Sequence, residues 1–187
     1  MPKDTATEIT PVSEKNIAAY GLPPLTWDRA LKRIQEEWKL QGPPETGGVA
    51  GAATHWLATT RPDGRPHVVP IGAAWHDAHF YFTAGDSTRK AKNLAQNPNC
   101  VITLAAKDVD ITVEGKATKV TDEAKLRRLA EVFASGGWAP EVRNGAFHHE
   151  YSAPSAGPPP WYAYEFTPST VFAVATADPH GATRWHL

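Results

Sequence analysis

The sequence predicts a mainly β domain with flanking helices, and three observations support this fold class. Short runs rich in β-branched and aromatic residues recur between residues 55 and 122, with Gly, Pro and Asp turn signals between them. Apolar residues recur at helical spacing in one stretch before these runs and in another after them. The length of 187 residues suits one domain with a sizeable core and is short for two.

The N-terminal segment is polar and shows no regular hydrophobic spacing up to Pro23-Pro24. We expect residues 1–25 to form a flexible tail that is either disordered or laid across a partner subunit. The folded domain is therefore expected to begin at Thr26.

A helix is predicted from Thr26, because four apolar residues follow at intervals of three or four and share one face. These residues are Trp27, Leu31, Ile34 and Trp38. Gly42-Pro43-Pro44 should end the helix. The stripe carries no basic residues, so we interpret it as a packing face that caps the sheet.

Three strands leading into a basic helix are predicted next. The strands cover residues 55–60, 66–75 and 79–83, with turns at 61–65 and 76–78. The helix covers residues 87–97, with Ser87 or Thr88 as N-cap and Asn97-Pro98 as its end.

The start of this helix is a predicted anion pocket. A helix N-terminus carries unsatisfied N–H groups and a partial positive charge. Arg89, Lys90 and the strand-end hydroxyl of Thr83 add donors at the same place. We therefore expect a phosphate group to bind there, whereas the alternative is that the basic pair is only a solvated helix face.

The rest of the chain predicts further strands, one more helix and a long loop. A helix should follow Thr121-Asp122, since Leu126, Leu129 and Phe133 recur at helical spacing. The strands are predicted over residues 100–104, 161–167 and 170–175. The loop covers residues 139–160, a length that is typical of functional or disordered segments.

A family resemblance is carried by three segments: WLATTRPDGRPHVVPIGAAWHDAHFYFTAGDSTRKAKNLAQNP (56–98), DVDITVEGKATKVTD (108–122) and the closing GATRWHL. They resemble the FMN-binding split-barrel superfamily, which includes pyridoxamine 5'-phosphate oxidases and flavin/deazaflavin oxidoreductases. The resemblance implies a six-stranded antiparallel split β-barrel over residues 26–187, with a cofactor-binding core at 55–120 and a C-terminal substrate-side loop and strands. It also implies a homodimer that holds flavin-type cofactors at the subunit interface.

Two departures argue against vitamin B6 oxidation. Pyridoxamine 5'-phosphate oxidases carry an Arg-x-Val-Leu-Leu-Lys type motif where this chain has residues 67–72, HVVPIG, so both basic positions are lost. Their closing Arg- and His-bearing motif is replaced by GATRWHL, with Arg184 as its single arginine. The form of residues 66–70, PHVVP, instead resembles the flavin/deazaflavin oxidoreductase branch, and the cofactor is expected to be the deazaflavin coenzyme F-420 or FMN.

The candidate site residues follow from the resemblance and from the helix start. The expected cofactor contacts are His67, Val68, Val69, Pro70, Phe82, Thr83, Ser87, Arg89, Lys90 and Asp110. The substrate-side candidates are Tyr151, Trp161, Arg184 and Trp185. Alternatives are that Trp185 closes the barrel bottom and that Arg184 pairs with a carboxylate. No catalytic residue is assigned, although His67, Tyr151 or water could supply a proton.

Several function classes are disfavoured by composition and motifs. A net charge of -1 and a pI near 6.7 give no footprint for nucleic acid or an anionic membrane. Cys100 is the only cysteine in the sequence, so an intrachain disulfide is excluded. We expect it to pack in the core. His148-His149-Glu150 does not match a recognised metal-ligand spacing, so no metal site is expected. No signal or membrane-spanning pattern is apparent, and we expect a cytoplasmic location.

The sequence therefore predicts a homodimeric oxidoreductase that transfers hydride to or from a small organic substrate by means of a flavin or deazaflavin. The first alternative is a noncatalytic flavin-binding protein on the same fold. The second is a haem- or tetrapyrrole-binding relative, for which His148-His149 would be the discriminating feature.

Overall fold

The computed structural model describes residues 9–37, 54–150 and 157–187. Its helices are α1 (Trp27–Glu36), α2 (Arg89–Gln96) and α3 (Glu123–Ser135). Its strands are β1 (Ser13–Asn16), β2 (His55–Thr60), β3 (Pro66–Ile71), β4 (Ala73–His76), β5 (His79–Ala84), β6 (Asn99–Ala105), β7 (Val109–Lys119), β8 (Glu141–Arg143), β9 (Ala146–His148), β10 (Tyr162–Ala175) and β11 (Ala182–His186).

The strand pairings form a ring, and every pairing in it is antiparallel. β2 pairs with β6, β6 with β7, β7 with β10, β10 with β5 and β5 with β4. β4 continues from β3 across the single residue Gly72, and β3 pairs with β2. With β3 and β4 counted as one bent strand, this ring is the six-stranded antiparallel split barrel, and the predicted fold class is confirmed.

The long strand β10 joins the two halves of the sheet. Its first residues pair with β5 and its last residues with β11, while β7 runs along the whole of its other edge. The register with β7 shifts between Pro168 and Thr170. β10 passes very close to Gly115 at this point. A Cβ atom added to Gly115 would lie only 2.2 Å from the carbonyl oxygen of Thr167. A residue with a side chain would not fit this crossing.

Alternating side chains fill the barrel with one apolar core. β2 shows the pattern clearly, with its first, third and fifth residues buried and the intervening ones less so. Phe80 and Phe166 lie edge to face with their ring centroids 5.9 Å apart, and Phe82 stacks on Tyr164 at 5.4 Å. Cys100 is buried in the same cluster, so its predicted role in core packing is confirmed.

α1 covers one end of the barrel through its predicted apolar face. Ala30 and Ile34 are buried, and the indole of Trp27 meets that of Trp185 edge to face at 5.3 Å. The helix ends at Glu36, and Trp38 lies outside the described residues. α1 therefore begins where the sequence predicts but ends before the Gly42-Pro43-Pro44 signal.

A second apolar cluster lies between the sheet and α3. Leu126, Leu129 and Phe133 of α3 pack there with Trp138 and Phe147. β8 and β9 form a hairpin in this region, so the prediction of a structureless loop over residues 139–160 is wrong for its first part. The turn is Asn144-Gly145, with φ values of 52° and 72°, which suits a two-residue type I′ hairpin.

Three other predicted segments differ from the structure. The segment predicted as a tail contains β1, which pairs with β11 of its own chain. Backbone hydrogen bonds hold this pairing from Val12 to Ile17. The polar side chains of the segment gave no indication of these backbone bonds. The strand predicted over residues 66–75 is divided at Gly72. The strands predicted over 161–167 and 170–175 are one strand with an irregularity. In the described segments, no helix has the length and apolar character needed to cross a bilayer.

Candidate functional site at the start of α2

The start of α2 is shaped by a capping threonine. Thr88 has extended backbone angles, and its hydroxyl accepts a hydrogen bond from the amide of Ala91. The same hydroxyl donates to the carbonyl of Gly85 at 2.7 Å. Of the two predicted N-caps, the structure therefore has Thr88. Helix geometry leaves the first-turn amides at Arg89 and Lys90 without intrahelical acceptors.

Lys90 is the unusual side chain of this helix. The residue as a whole is only 8% exposed, but its Nζ atom is not among the fully buried polar atoms that lack a partner. No side-chain hydrogen bond or ion pair joins this ammonium group to a residue that the structure describes. Burial lowers the pKa of its ammonium group. A largely buried ammonium group is stabilised by a neighbouring anion, and the described residues supply none to Lys90.

His67 of β3 faces the same group of cations. Its Nδ1 atom is buried and has no hydrogen-bond partner in the described structure. Burial lowers the pKa of His67, and the positive charges of Arg61, Arg89 and Lys90 lower it further. The structure therefore brings together three of the predicted contacts, His67, Arg89 and Lys90, and adds Arg61 from the turn between β2 and β3.

A hydrogen-bonded bridge holds β2 and β3 against α2. The side-chain amide of Asn93 donates to the Thr59 hydroxyl at 2.9 Å, and that hydroxyl donates to the carbonyl of His67 at 3.4 Å. Both side chains are buried, and the Oδ1 atom of Asn93 has no partner among the described residues. This bridge fixes the distance between α2 and His67.

The acidic residue nearest to the helix start along the chain is already paired. Asp86 accepts a hydrogen bond from Lys119 Nζ at 2.6 Å, and the same ammonium lies 3.7 Å from the centre of the Tyr162 ring. Across the described parts of the chain, no carboxylate bonds to Arg89, Lys90 or His67. The helix start thus keeps an excess of positive charge.

The other predicted cofactor contacts lie around this cluster in different settings. Thr83 is half-buried near the end of β5, and Ser87 is exposed in the short connection to α2. Val68 and Pro70 are exposed, while Val69 is half-buried. Phe82 is 0% exposed and belongs to the core, so only its backbone remains available for a contact.

Asp110 lies apart from this group. The register places His67, Thr59, Cys100 and Gly115 in one row across β3, β2, β6 and β7. Asp110 is five residues before Gly115 on β7, which corresponds to roughly 17 Å along the strand. Its side chain is exposed. Contact between Asp110 and the phosphate end of a ligand in the same subunit is therefore not expected.

Burial bears on the substrate-side candidates. Trp185 is 0% exposed against Trp27, and Trp161 is 3% exposed in the cluster under α3, so neither side chain is open to solvent in the described structure. Arg184 is half-buried on β11, and its Nε atom has no partner among the described residues. The alternative of an Arg184 carboxylate pair is not found there either. Tyr151 lies outside the described residues.

Two other places in the described structure lack the features of an anion or metal site. Within the described ranges, no three His, Cys, Asp or Glu side chains lie together as metal ligands. A groove of about 380 Å³ lies beside the ends of β2, β6 and β7, and its lining includes Thr60, Asn99 and Glu114. No basic side chain lines it in the part of the chain that the structure describes, so the anion-binding features lie instead at α2.

A family model described as pyridoxamine 5'-phosphate oxidase matches residues 48–157, which is more than half of the chain. The chain belongs to this family. This family is part of the FMN-binding split-barrel superfamily. The matched residues include β2, β3 and the basic start of α2. No curated protein matches the chain in sequence.

Solved structures share the fold at low sequence identity. A pyridoxamine 5'-phosphate oxidase-related, FMN-binding protein from Nostoc punctiforme has a TM-score of 0.56 and 19% identity, over 89% of this chain and 92% of that chain. A NimC/NimA family protein from Clostridium acetobutylicum has a TM-score of 0.50 and 19% identity, over 83% and 93%. PhzG from Burkholderia lata, in complex with tetrahydrophenazine-1-carboxylic acid, has a TM-score of 0.50 and 19% identity, over 72% and 76%.

Three residues of the site were missed in the sequence, although two of them left a signal there. Thr59 is a polar residue at an inward position of an otherwise alternating strand. Asn93 is a polar residue on the buried face of a short helix, three positions after Lys90. Arg61 had no such signal, because only the hairpin pairing brings it near His67.

Proposed function

We propose that this protein binds a flavin-type cofactor, FMN or the deazaflavin coenzyme F-420, and acts as an oxidoreductase on a small organic substrate. The observation that carries the proposal is the largely buried Lys90, which has no side-chain partner among the described residues and lies near Arg89, Arg61 and His67 at a helix start. Such a cluster suits a phosphate group, which both candidate cofactors carry, as a terminal monoester in FMN and as a phosphodiester in F-420. Family membership and the FMN-binding Nostoc relative support the same assignment at the level of fold.

The residues present fit the phosphate end of such a cofactor. Lys90 and Arg89 would supply charge-assisted hydrogen bonds, the first-turn amides of α2 would donate to the remaining oxygens, and His67 would face the same anion. Thr59 and Asn93 would keep these donors in place through their bridge. When bound, the cofactor would supply hydride transfer, and the chain's residues would orient it and exclude water.

A homodimer is part of the proposal, and it is supported by one face of the sheet. Residues paired directly across neighbouring strands lie on the same side of a sheet. One such row, here called the outer face, consists of Pro70, Trp56, Thr103, Thr112, Phe172 and Arg184. Trp56 is 44% exposed and the neighbouring Val68 is 54% exposed. A second copy that covers this face would remove the apolar side chains from water.

The cofactor assignment is tested by fluorescence titration of the purified protein with FMN, coenzyme F-420 and riboflavin in parallel. We expect FMN or F-420 to bind and riboflavin, which lacks phosphate, to bind at least tenfold more weakly. The double variant Arg89→Ala/Lys90→Ala should lose about 2 to 6 kcal/mol of cofactor binding free energy, as typical charge-assisted hydrogen bonds would. Lys92→Ala is the matched control, since Lys92 is exposed on the same helix.

The outcomes separate the possible functions. Equal affinity for FMN and riboflavin, or an unaffected double variant, would contradict the phosphate pocket. Tight cofactor binding without electron exchange with any donor would favour a noncatalytic flavin-binding protein. Binding of haem with a Soret band that disappears in His148→Ala/His149→Ala would favour the tetrapyrrole alternative.

The dimer is tested by analytical ultracentrifugation of Trp56→Glu/Val68→Glu. We expect the wild-type protein to sediment as a dimer and the variant as a folded monomer, because two carboxylates would be buried in the interface. Tyr20→Ser is the control, since Tyr20 is fully exposed in the N-terminal segment and lies off the outer face. A monomeric wild-type protein would contradict the proposal.

A further inference from the structure

The environment of His67 suggests a role beyond simple contact. The charged groups that act on its ring are Arg61 from the β2–β3 turn and Arg89 and Lys90 from α2, and all three are basic. The polar side chains that join these elements, Thr59 and Asn93, are neutral. In the described chain, Nδ1 of His67 is buried without a hydrogen-bond partner. The ring therefore lies among cations with an unused nitrogen.

This environment disfavours a positive charge on His67 before any ligand binds. Burial lowers the pKa of His67, and the three neighbouring cations lower it further. Both effects favour the neutral form of the imidazole in the ligand-free protein. A dianion placed among the same cations would reverse the local field and would give the protonated ring a partner.

We propose that His67 takes up one proton from solvent when a dianionic phosphate group binds at the start of α2. This inference rests on the proposed function and adds a regulatory property to the same site. The added proton bonds to a ring nitrogen of His67, so the net charge of the complex rises by one and no other bond changes. Arg61, Arg89 and Lys90 keep their protons throughout. The site is thereby a proton-coupled receptor for dianions.

Thermodynamic linkage gives the direction of the effect. If anion binding favours the protonated form of His67, protonation must favour anion binding to the same extent. Affinity should therefore rise as the pH falls through the range in which His67 titrates. Each unit by which a dianion raises the midpoint of His67 corresponds to about a tenfold gain in affinity at low pH.

Inorganic sulfate is the best probe, because it keeps both charges over the working range, whereas the phosphate of FMN itself titrates near pH 6. Histidine Cε1–H resonances of ¹³C-labelled protein are followed from pH 5 to 8 with sulfate or with chloride at equal ionic strength. His67→Gln identifies the His67 resonance, and exposed His76→Gln is the matched control. We expect sulfate to raise the midpoint of His67 by about one unit, with a roughly tenfold gain in affinity.

Calorimetry with FMN gives an independent measurement. Titrations at pH 6.5 in buffers of different ionisation enthalpy count the protons taken up on binding. We expect the wild-type protein to take up more protons than His67→Gln, by up to about half a proton for a shift of one unit, and His76→Gln to behave like the wild type. Circular dichroism of both variants confirms that they are folded.

The results distinguish the two proposals. If FMN does not bind to the wild-type protein, the proposed function fails. If FMN binds through Arg89 and Lys90 but His67→Gln takes up the same number of protons, the inference about His67 is overturned and the proposed function stands. An unchanged midpoint of His67 in sulfate, at concentrations that shift the resonances of Arg89 and Lys90, would also overturn it.

Discussion

Two helices of this protein each carry a pair of basic residues next to the sheet, and the two pairs have opposite surroundings. On α1, Arg29 and Arg33 both bond to Asp108, at 2.9 Å and 2.5 Å, and Arg33 also bonds to Glu36. On α2, Arg89 and Lys90 have no carboxylate partner among the described residues. Paired and unpaired cations therefore occur on two helices of similar length in one small fold.

The contrast shows how to separate a structural cluster from a binding cluster. Arg29 also donates to the carbonyls of Ala177 and Pro179, so the α1 cluster ties the helix to β7 and to the segment before β11. Two carboxylates and backbone carbonyls of the protein itself thus accept hydrogen bonds from this cluster. The α2 cluster contains a largely buried lysine without a side-chain partner among the described residues, and an anion supplied from outside would stabilise this arrangement.

The largest effect is expected on the free energy of unfolding, when the paired cluster on α1 is broken. Asp108→Asn should lower the free energy of unfolding by about 3 kcal/mol, because two half-buried guanidinium groups lose their anion. Hydrogen bonds from Arg33 and then Arg29 lower the pKa of Asp108, so this stabilisation is present at neutral pH and is lost only as the pH falls below the usual aspartate range. Urea unfolding measures the change, with Asp110→Asn as the exposed control, two residues further along the chain on β7. Cofactor affinity should not change in Asp108→Asn.

A change in the unpaired cluster should lower cofactor affinity and leave stability intact. Lys90→Met should weaken FMN affinity about thirtyfold, or ~2 kcal/mol, while the free energy of unfolding stays the same or rises. The physical reason is that the ligand-free protein loses a buried charge and no ion pair. Titration and urea unfolding of the same sample measure both quantities. A marked loss of stability with intact affinity would remove the distinction between the two helices.

His55 is a third basic residue to compare with the two clusters, and burial in the core favours its neutral form. It is buried against Phe80, and burial lowers its pKa to about 4. The unfolded chain binds this proton near pH 6.5 and the folded chain does not, so stability falls as the pH drops from about 6.5 towards 4. We expect a loss of about 1 kcal/mol between pH 7.5 and 5.5. His55→Leu should flatten this part of the pH profile in urea unfolding, and an unchanged profile would rule His55 out as the cause.

The smallest effect is expected from salt. Raising chloride from 50 mM to 500 mM should weaken FMN affinity roughly threefold, since ions compete for the open cluster at α2 and screen it. The free energy of unfolding should change by less than about 0.5 kcal/mol, because the α1 cluster is closed within the protein. Titrations and unfolding curves at the two salt concentrations test this. Equal sensitivity of both quantities would mean that the two clusters are equally exposed.

Much of the fold could be predicted from local patterns. Alternation in β2 and β6, helical spacing in α1 and α3, and the capping signal at α2 are properties of neighbouring residues, and they appear close to their predicted positions. The hairpin at Asn144-Gly145 was also readable, since Asn-Gly is the strongest short hairpin signal. It was missed because Pro and Gly residues later in the same segment dominate its composition.

The site could be predicted only in part. Arg89 and Lys90 stand out because a helix start and a basic pair coincide in the sequence. Trp161 and Trp185 were expected to face a substrate, but aromatic side chains near a chain end or a loop look alike whether they are exposed or buried. Their burial depends on Trp138 and Trp27, which are distant in sequence.

By itself, the sequence determined the type and approximate position of most elements and the family to which the chain belongs, because these depend on periodicity and on short motifs. Only the tertiary structure decided which charges are satisfied. Asp108 lies 75 residues from Arg33, and Arg61 reaches His67 through strand pairing. Charge balance around a side chain is set by groups from separate elements, and no local pattern records it.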